Sequence, residues 1–398
     1  MKIKYSLVAL FALSNISFVN AQSLENAIKN VETSGTVAYR YNDYEASTNT
    51  GDGTGTHPVG NKDKSLGSDS SNLYKIALNL KSKVNDDVVF NSRFIAGKQA
   101  NAGEVALDTQ ASGDSNVDVF LSEANFAYHG LQNSVISIGK QGITTPFTIA
   151  RDSIGNESTG TGLVATTHFT DMLSLTAGYY NQTNFNNNDR GLGTLVGDED
   201  LYYVSGNLAI ANTTIDATYA DLQDKFDAYS VGITANYEVS QLKLNPYARY
   251  SSLDLDSSDD KNTLWKTGID AGYGIFGAYL AYGETNEEGG TVGVDASSDS
   301  GMDDHWRVTL SGEKDASVVY SSVNAQVLEK VNVALKYSQL DANANSNDQN
   351  EIYVQTTYKM SSNLSTYARL GQYEVEKFYT DNSDLKSNIG RVHVQYSF

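Results

Sequence analysis

Residues 390–398 read GRVHVQYSF. In an extended chain Gly390, Val392, Val394, Tyr396 and Phe398 fall on one side and Arg391, His393, Gln395 and Ser397 on the other, because strand side chains alternate with a period of two. One face is apolar and the other is wet. An edge strand of a soluble sheet shows the same alternation, so the choice between a soluble sheet and one that faces lipid rests on the other segments. The sequence stops on the aromatic member of the apolar face.

The opposite end points to export. Lys2 and Lys4 precede an apolar run from Tyr5 to Val19, and Val19-Asn20-Ala21 has the small-residue form of a signal-peptidase site, so residues 1–21 read as a signal peptide and 22–398 as the mature protein. Removing Lys2 and Lys4 takes the formal charge from -20 to -22. With no cysteine, disulfide scaffolds and thiolate metal sites are excluded. Past the leader there is no run of about 18 apolar residues, so a membrane protein of this sequence has to cross as a β-barrel. A terminal strand with an aromatic last residue looks like the closing strand of such a barrel, and Phe398 is then part of the signal read by the barrel-assembly machinery.

The rest of the chain repeats the rhythm. Val37, Tyr39 and Tyr41 alternate with Thr36, Ala38 and Arg40. Tyr74, Ile76, Leu78 and Leu80 alternate with Lys75, Ala77, Asn79 and Lys81, and Phe90, Phe94 and Ala96 with Asn91, Arg93 and Ile95. Further strands are predicted near 119–128, 134–141, 163–170, 172–182, 200–209, 213–222, 227–238, 242–252, 262–272, 276–284, 317–327, 331–340, 350–360, 363–374 and 388–398. The sum is an all-β fold, a transmembrane antiparallel β-barrel of about 18 strands within a range of 16 to 20. Long polar loops follow strands one, three, five, seven, eleven, thirteen, fifteen and seventeen, and tight turns such as 84–87, 209–212 and 328–330 lie between them. Long external loops and short periplasmic turns produce this asymmetry, with both termini periplasmic. No linker divides the chain, so one domain is expected. Its 26 tyrosines supply the amphipathic rings that membrane interfaces favour, although a soluble all-β protein can also be rich in tyrosine.

At SLENAIKNVETSGTVAYRY (residues 23–41), SVISIGKQGITTPFTIARDSIGNESTGTGLV (residues 134–164) and the terminal QYSF the chain resembles the major outer-membrane porins of Campylobacter-type bacteria. The middle of the chain matches in rhythm only. The resemblance implies an 18-stranded trimeric porin whose third external loop folds into the lumen. That loop here carries Pro146, Arg151 and Glu157, which departs from the family pattern. Asp152 is the one position carried over as a calcium ligand, and no other cofactor is implied.

Other motifs read as structure. Gly272-Tyr-Gly-Ile-Phe-Gly277 has the G-x-G-x-x-G form, but AYLAYGET follows it as a strand instead of opening a helix, so a glycine-rich turn is expected. The acidic stretch 284–304 (ETNEEGGTVGVDASSDSGMDD) lacks EF-hand spacing and reads as a solvated external loop. His57, His129, His168, His305 and His393 are scattered, with no H-E-x-x-H and no G-x-S-x-G, so no enzyme is indicated.

If the apolar faces meet lipid, Arg369, Arg391, Arg40, Lys75 and Arg93 all point inward on strands that become neighbours when the barrel closes. Residues 142–162 form the candidate constriction, which carries Arg151, Asp152 and Glu157, and Asp152 and Glu157 are expected to face that basic wall across the lumen and set selectivity. A passive diffusion channel for small hydrophilic solutes and ions follows, mildly cation-preferring because the loops are acidic. A substrate-specific channel and an adhesin or receptor barrel acting through its loops are the alternatives. The expected partners are two further copies of the chain, outer-membrane lipid and lipopolysaccharide, the assembly machinery and the solutes, and no nucleic acid.

Overall fold

The structure, a computed structural model, describes residues 30–47, 69–98, 102–106, 117–185, 192, 195–343, 347–378 and 384–398. The predicted signal peptide 1–21 and His57 lie outside them.

Among the described residues twenty β-elements follow one another with no α-helix between them: β1 (Glu32–Ser47), β2 (Asp69–Lys83), β3 (Val88–Gly97), β4 (Val105–Ala106), β5 (Asp118–Leu131), β6 (Ser134–Gly142), β7 (Thr159–His168), β8 (Leu173–Thr183), β9 (Leu201–Ile210), β10 (Thr213–Leu222), β11 (Phe226–Ala235), β12 (Tyr237–Val239), β13 (Leu242–Leu255), β14 (Lys261–Tyr273), β15 (Phe276–Thr285), β16 (Ala316–Leu328), β17 (Val331–Ala342), β18 (Gln349–Lys359), β19 (Leu364–Val375) and β20 (Leu385–Ser397). Two-residue β4 is a strand of the loop after β3, paired with Leu73 and Tyr74 in the first half of β2. β11 and β12 keep one register against β13, from Thr234↔Tyr247 to Tyr237↔Leu244, and act as one strand. The barrel therefore has eighteen spanning strands, as the alternation predicts. The strand expected near 163–170 begins four residues earlier, at Thr159.

Each spanning strand pairs antiparallel with its sequence neighbours, and β20 pairs with β1 from Thr36↔Ser397 to Ser47↔Lys386, which removes every free edge. Phe398 completes the seam. Its N–H donates to Gly35 O (3.0 Å) and its C=O accepts from Gly35 N (2.8 Å). Its ring stacks on Tyr396 at 5.5 Å and lies where a side chain at residue 35 would stand, 2.7 Å from the Cβ position, so glycine there makes room for the last aromatic. Val392, Tyr396 and Phe398 are exposed while His393 is buried, as the two-faced reading requires.

The same alternation runs round the barrel. Outward positions such as Val119, Ile138, Leu280, Val323 and Leu370 are more than half exposed, although they are apolar, because lipid and not protein covers them. Outward rings pair near the loop ends, Tyr179 with Tyr202 at 5.0 Å and Trp265 with Tyr282 at 5.4 Å, as an interfacial girdle does. Gly272–Gly277 is a tight hairpin turn, with Gly274 at φ +61°, between β14 and β15. The connections after β13 (256–260) and β17 (343–348) are shorter than the loop pattern predicts.

The buried apolar clusters lie inside the barrel, and this overturns the reading of 284–304 as a solvated loop. The connection 286–315 turns inward. Val292, Met302, Trp306, Val308 and Leu310 pack against Tyr320, Leu340, Tyr353 and Tyr373, which point into the lumen from the strands. A second cluster joins Ile143 and Phe147 of the third long loop, Val294 of the 286–315 loop and the lumen-facing Tyr180, Tyr203, Leu222, Phe226 and Leu253.

Candidate functional site

The third long loop, 143–158 between β6 and β7, bends into the barrel and is fastened by its own carboxylate. Glu157 Oε1 accepts from Lys75 Nζ (2.8 Å) and Arg93 Nη2 (2.6 Å), and its Oε2 accepts from Arg93 Nε (2.9 Å). Lys75 Nζ also donates to the carbonyls of Asp152 and Gly155, each at 2.9 Å. All three side chains are almost fully buried, Lys75 and Glu157 at 0 %. Local sequence explains the precision: at the bulge where Arg93↔Glu123 gives way to Phe94↔Leu121, the extra residue Ser122 swings Glu123 inward opposite Arg93. Glu123 then accepts from Arg151 Nη2 (2.8 Å), which also donates through Nη1 to Asn79 Oδ1 (2.8 Å).

These contacts correct the expected geometry. Glu157 does not face Lys75 and Arg93 across open lumen but is joined to them, because a carboxylate and two cations on flexible stems within reach of each other close the gap. The five wall cations therefore divide into a loop anchor, Lys75 and Arg93, and a remaining group, Arg40, Arg369 and Arg391. Arg151 is the loop charge that stays half exposed. Asp152 is taken up by the turn, its Oδ1 accepting from Ile154 N (2.8 Å) and Gly155 N (2.7 Å). Among the described residues no three His, Asp or Glu side chains gather as metal ligands.

The second infolded loop has no counterpart in the sequence reading. Glu351, on the lumen face of β18 and 0 % exposed, accepts from the backbone N–H groups of Trp306 (3.0 Å) and Arg307 (2.7 Å) and from Ser338 Oγ (3.0 Å). His305 Nδ1 lies 2.7 Å from Ser338 Oγ. Since the Ser338 hydrogen goes to Glu351, His305 donates through Nδ1, and its buried Nε2 is left without a partner. Burial and the nearby Lys336 and Arg369 push His305 down to about 3 from its usual 6.5, so it is neutral at ordinary pH.

The two loops meet inside the barrel. Val294 N donates to Phe147 O (2.8 Å) and Ser300 N to Pro146 O (2.7 Å), which makes a bridge across the lumen. On one side of it stand Arg369 and Arg391, direct cross-strand partners, with Arg40 one step along. Their guanidinium groups are placed by neutral partners, Gln355 for Arg369 (2.7 Å) and Asn42 for Arg391 (2.7 Å), and Trp306 of the loop covers both at 5.6 and 5.2 Å. No carboxylate lies within ion-pair distance of these three among the described residues. On the other side is a cavity of about 470 Å³ between the third loop and the β7–β13 wall. Asp299, Asp303 and Asp304 bring acid into the barrel on the 286–315 loop, Asp303 accepting from Ser297 Oγ (2.6 Å) and Asp304 from Tyr279 OH (2.5 Å).

A closed barrel with an outward apolar band, aromatic girdle and charged, loop-narrowed interior defines an outer-membrane channel protein. The particular family is the Campylobacter major outer membrane protein, whose model matches residues 1–346, and the chain belongs to it. Solved structures with the same fold include OccK9 (OpdG) of Pseudomonas aeruginosa, at 12 % identity and a TM-score of 0.72 over 94 % of this chain and 100 % of that one. The BenF-like porin of Pseudomonas fluorescens Pf-5 shares 13 % identity and a TM-score of 0.70 over 93 % and 99 %. OccK2 (OpdF) of P. aeruginosa, solved in complex with glucuronate, shares 12 % identity and a TM-score of 0.68 over 93 % and 96 %. No curated protein sequence matches the chain.

Proposed function

We propose that the protein is a passive channel for small hydrophilic solutes and ions, mildly cation-preferring, with its selectivity set where the two infolded loops meet. The observation that carries this reading is the backbone bridge from Val294 and Ser300 to Phe147 and Pro146. It narrows an eighteen-strand barrel, wide enough for an aqueous channel, while leaving charged and hydroxylated walls on both sides. Asp299, Asp303 and Asp304 enter the barrel on the 286–315 loop, while the wall carries Arg40, Arg369 and Arg391, so in this reading the charge that sets selectivity belongs to the 286–315 loop and not to Asp152 and Glu157. In a narrow gap such charges act at low effective dielectric, and at a wide mouth they are screened.

Family likeness supports assembly as a trimer, export through the 1–21 leader and reading of Phe398 by the assembly machinery. A substrate-specific reading has one observation in its favour. Arg369 and Arg391 stand directly opposite each other with no neutralising acid among the described residues, an arrangement that costs stability and suits a carboxylate passing between them. OccK2 was solved with such an acid, glucuronate.

The test is the reversal potential under a salt gradient in planar bilayers. Replacing Asp299, Asp303 and Asp304 together by Asn should move the channel toward anions at low salt, and the shift should shrink as the Debye length falls from about 30 Å at 0.01 M to about 3 Å at 1 M. A triple variant that leaves the reversal potential in place would defeat the assignment of selectivity to this loop.

A further inference from the structure

We propose that the lane between the 143–158 loop and the β7–β13 wall holds a weak transit site for an uncharged, polyhydroxylated solute about the size of one sugar ring, a reading that rests on the channel function above. Its cavity of about 470 Å³ falls in the range of small-molecule pockets, about 300–1,000 Å³. Chemistry decides what fits it.

The wall presents hydroxyls in pairs on successive strands. Thr166 Oγ1 on β7 lies 3.0 Å from Thr176 Oγ1 on β8, and Ser205 Oγ on β9 lies 2.8 Å from Thr218 Oγ1 on β10. Each hydroxyl has one hydrogen and two lone pairs, so a pair that shares one hydrogen still offers a second donor and free acceptors. Thr144 and Thr145 supply two more hydroxyls from the loop side. An apolar solute here would strip water from the remaining donors and acceptors of these groups and put nothing in its place. A solute with several vicinal hydroxyls replaces that water bond for bond.

The one cation of the lane is already matched. Arg249 Nη1 donates to Asp216 Oδ2 and Nη2 to Asp216 Oδ1, both at 2.8 Å, and Nη1 also reaches Ser230 Oγ at 2.9 Å. A bidentate pair closed on itself gives a passing ion little net attraction, yet its spare lone pairs and N–H groups remain polar partners for hydroxyls. Asp299 from the 286–315 loop is the other charge in the lining. The lane is thus hydroxyl-rich and keeps one unmatched carboxylate, Asp299, and no free cation among its lining residues, in contrast to the arginine wall beyond the bridge.

The experiment uses the full-length protein in planar bilayers with glucose as probe. Glucose should lower the salt current in a concentration-dependent way and more strongly than a polyethylene glycol of similar size, which offers ether oxygens and few donors. Replacing Thr166 by Val and Ser205 by Ala, each channel measured against its own salt conductance, should raise the half-blocking glucose concentration about fivefold, the size of one lost neutral hydrogen bond. The site is overturned if glucose and the glycol act alike, if the double variant blocks as the parent does, or if glucuronate blocks this lane better than glucose in a variant with Arg369 and Arg391 replaced by Gln. A protein that passes no salt current would overturn the channel function itself, a result distinct from the failure of the site alone.

Discussion

The 143–158 and 286–315 loops do the same job with reversed polarity. The first carries its anion, Glu157, to two cations on the wall, whereas the second offers backbone N–H groups at Trp306 and Arg307 to an anion that the wall itself supplies, Glu351. The first is held by charge, with few large apolar contacts beyond Ile143, Phe147 and Ile154. The second is held by an apolar cluster in which one carboxylate fixes the orientation. Removing the anion should therefore have unequal consequences.

The largest effect belongs to Glu157→Ala. It leaves Lys75 and Arg93 buried without a counter-charge, a change that costs about 3–5 kcal/mol when one partner of a buried pair is removed. The third loop should leave the lumen, single-channel conductance should rise, and the barrel should lose its heat-resistant folded form at a lower temperature. Glu351→Ala strands two backbone N–H groups and a hydroxyl but no full charge, at about 1–3 kcal/mol per group, and the apolar cluster still holds the loop. Its conductance should rise less and its thermal shift should be smaller. If the two variants behaved alike, or in the opposite order, the division into a charge-held and an apolar-held loop would be wrong.

Acidity separates the loops in a second way. His305 is neutral in the seated 286–315 loop, with its value depressed to about 3, and returns to its usual 6.5 when the loop is released. Protonation therefore favours release. The seat is at full strength above about 6.5 and weakens as pH falls from there toward about 3. Conductance of the parent should grow noisier or larger through that window, while His305→Gln, which cannot take up the proton, should lack the upper part of the change. A parent and variant with superimposable pH profiles would remove His305 from the account.

The unequal legibility of the two loops has a physical cause. Strand alternation is a local property, so the barrel, its closing strand and the inward direction of Arg40, Lys75, Arg93, Arg369 and Arg391 follow from residue spacing. Which cation meets which anion does not, because Lys75 and Glu157 are 82 positions apart and their contact depends on how a loop folds back. The 286–315 loop is hidden by its composition, since Glu284 to Asp304 is acidic and rich in glycine and serine. A signal does exist on the opposite wall: Val318, Tyr320, Leu340, Tyr353 and Tyr373 put apolar bulk on the face that should be wet. Large apolar side chains on a lumen face imply that something covers them, and Val292, Met302, Trp306, Val308 and Leu310 are the cover. Glu351, Arg249 and Asp216 carry no motif at all and emerge only from the assembled barrel.

The smallest effect is expected at Asp152, which the sequence places at the heart of the constriction. Asn keeps the side-chain oxygen that accepts from Ile154 and Gly155, so Asp152→Asn should leave the turn and the anchor at Glu157 intact. What it removes is one partly exposed negative charge beside the Lys75 and Arg93 anchor. The lumen there becomes slightly more basic, and the reversal potential should move a little toward anions at low salt, by less than in the Asp299, Asp303 and Asp304 triple variant. Neutralising Glu287 and Glu288, two residues at the start of the 286–315 loop, gives the comparison for screened surface charge; Glu288 there accepts from Lys261 N at 2.7 Å. A shift at Asp152 as large as that of the triple variant would return the selectivity filter to the third loop. A shift accompanied by higher conductance would mean instead that Asp152 helps to hold the loop, because loss of a lumen charge alone leaves the width of the pore unchanged.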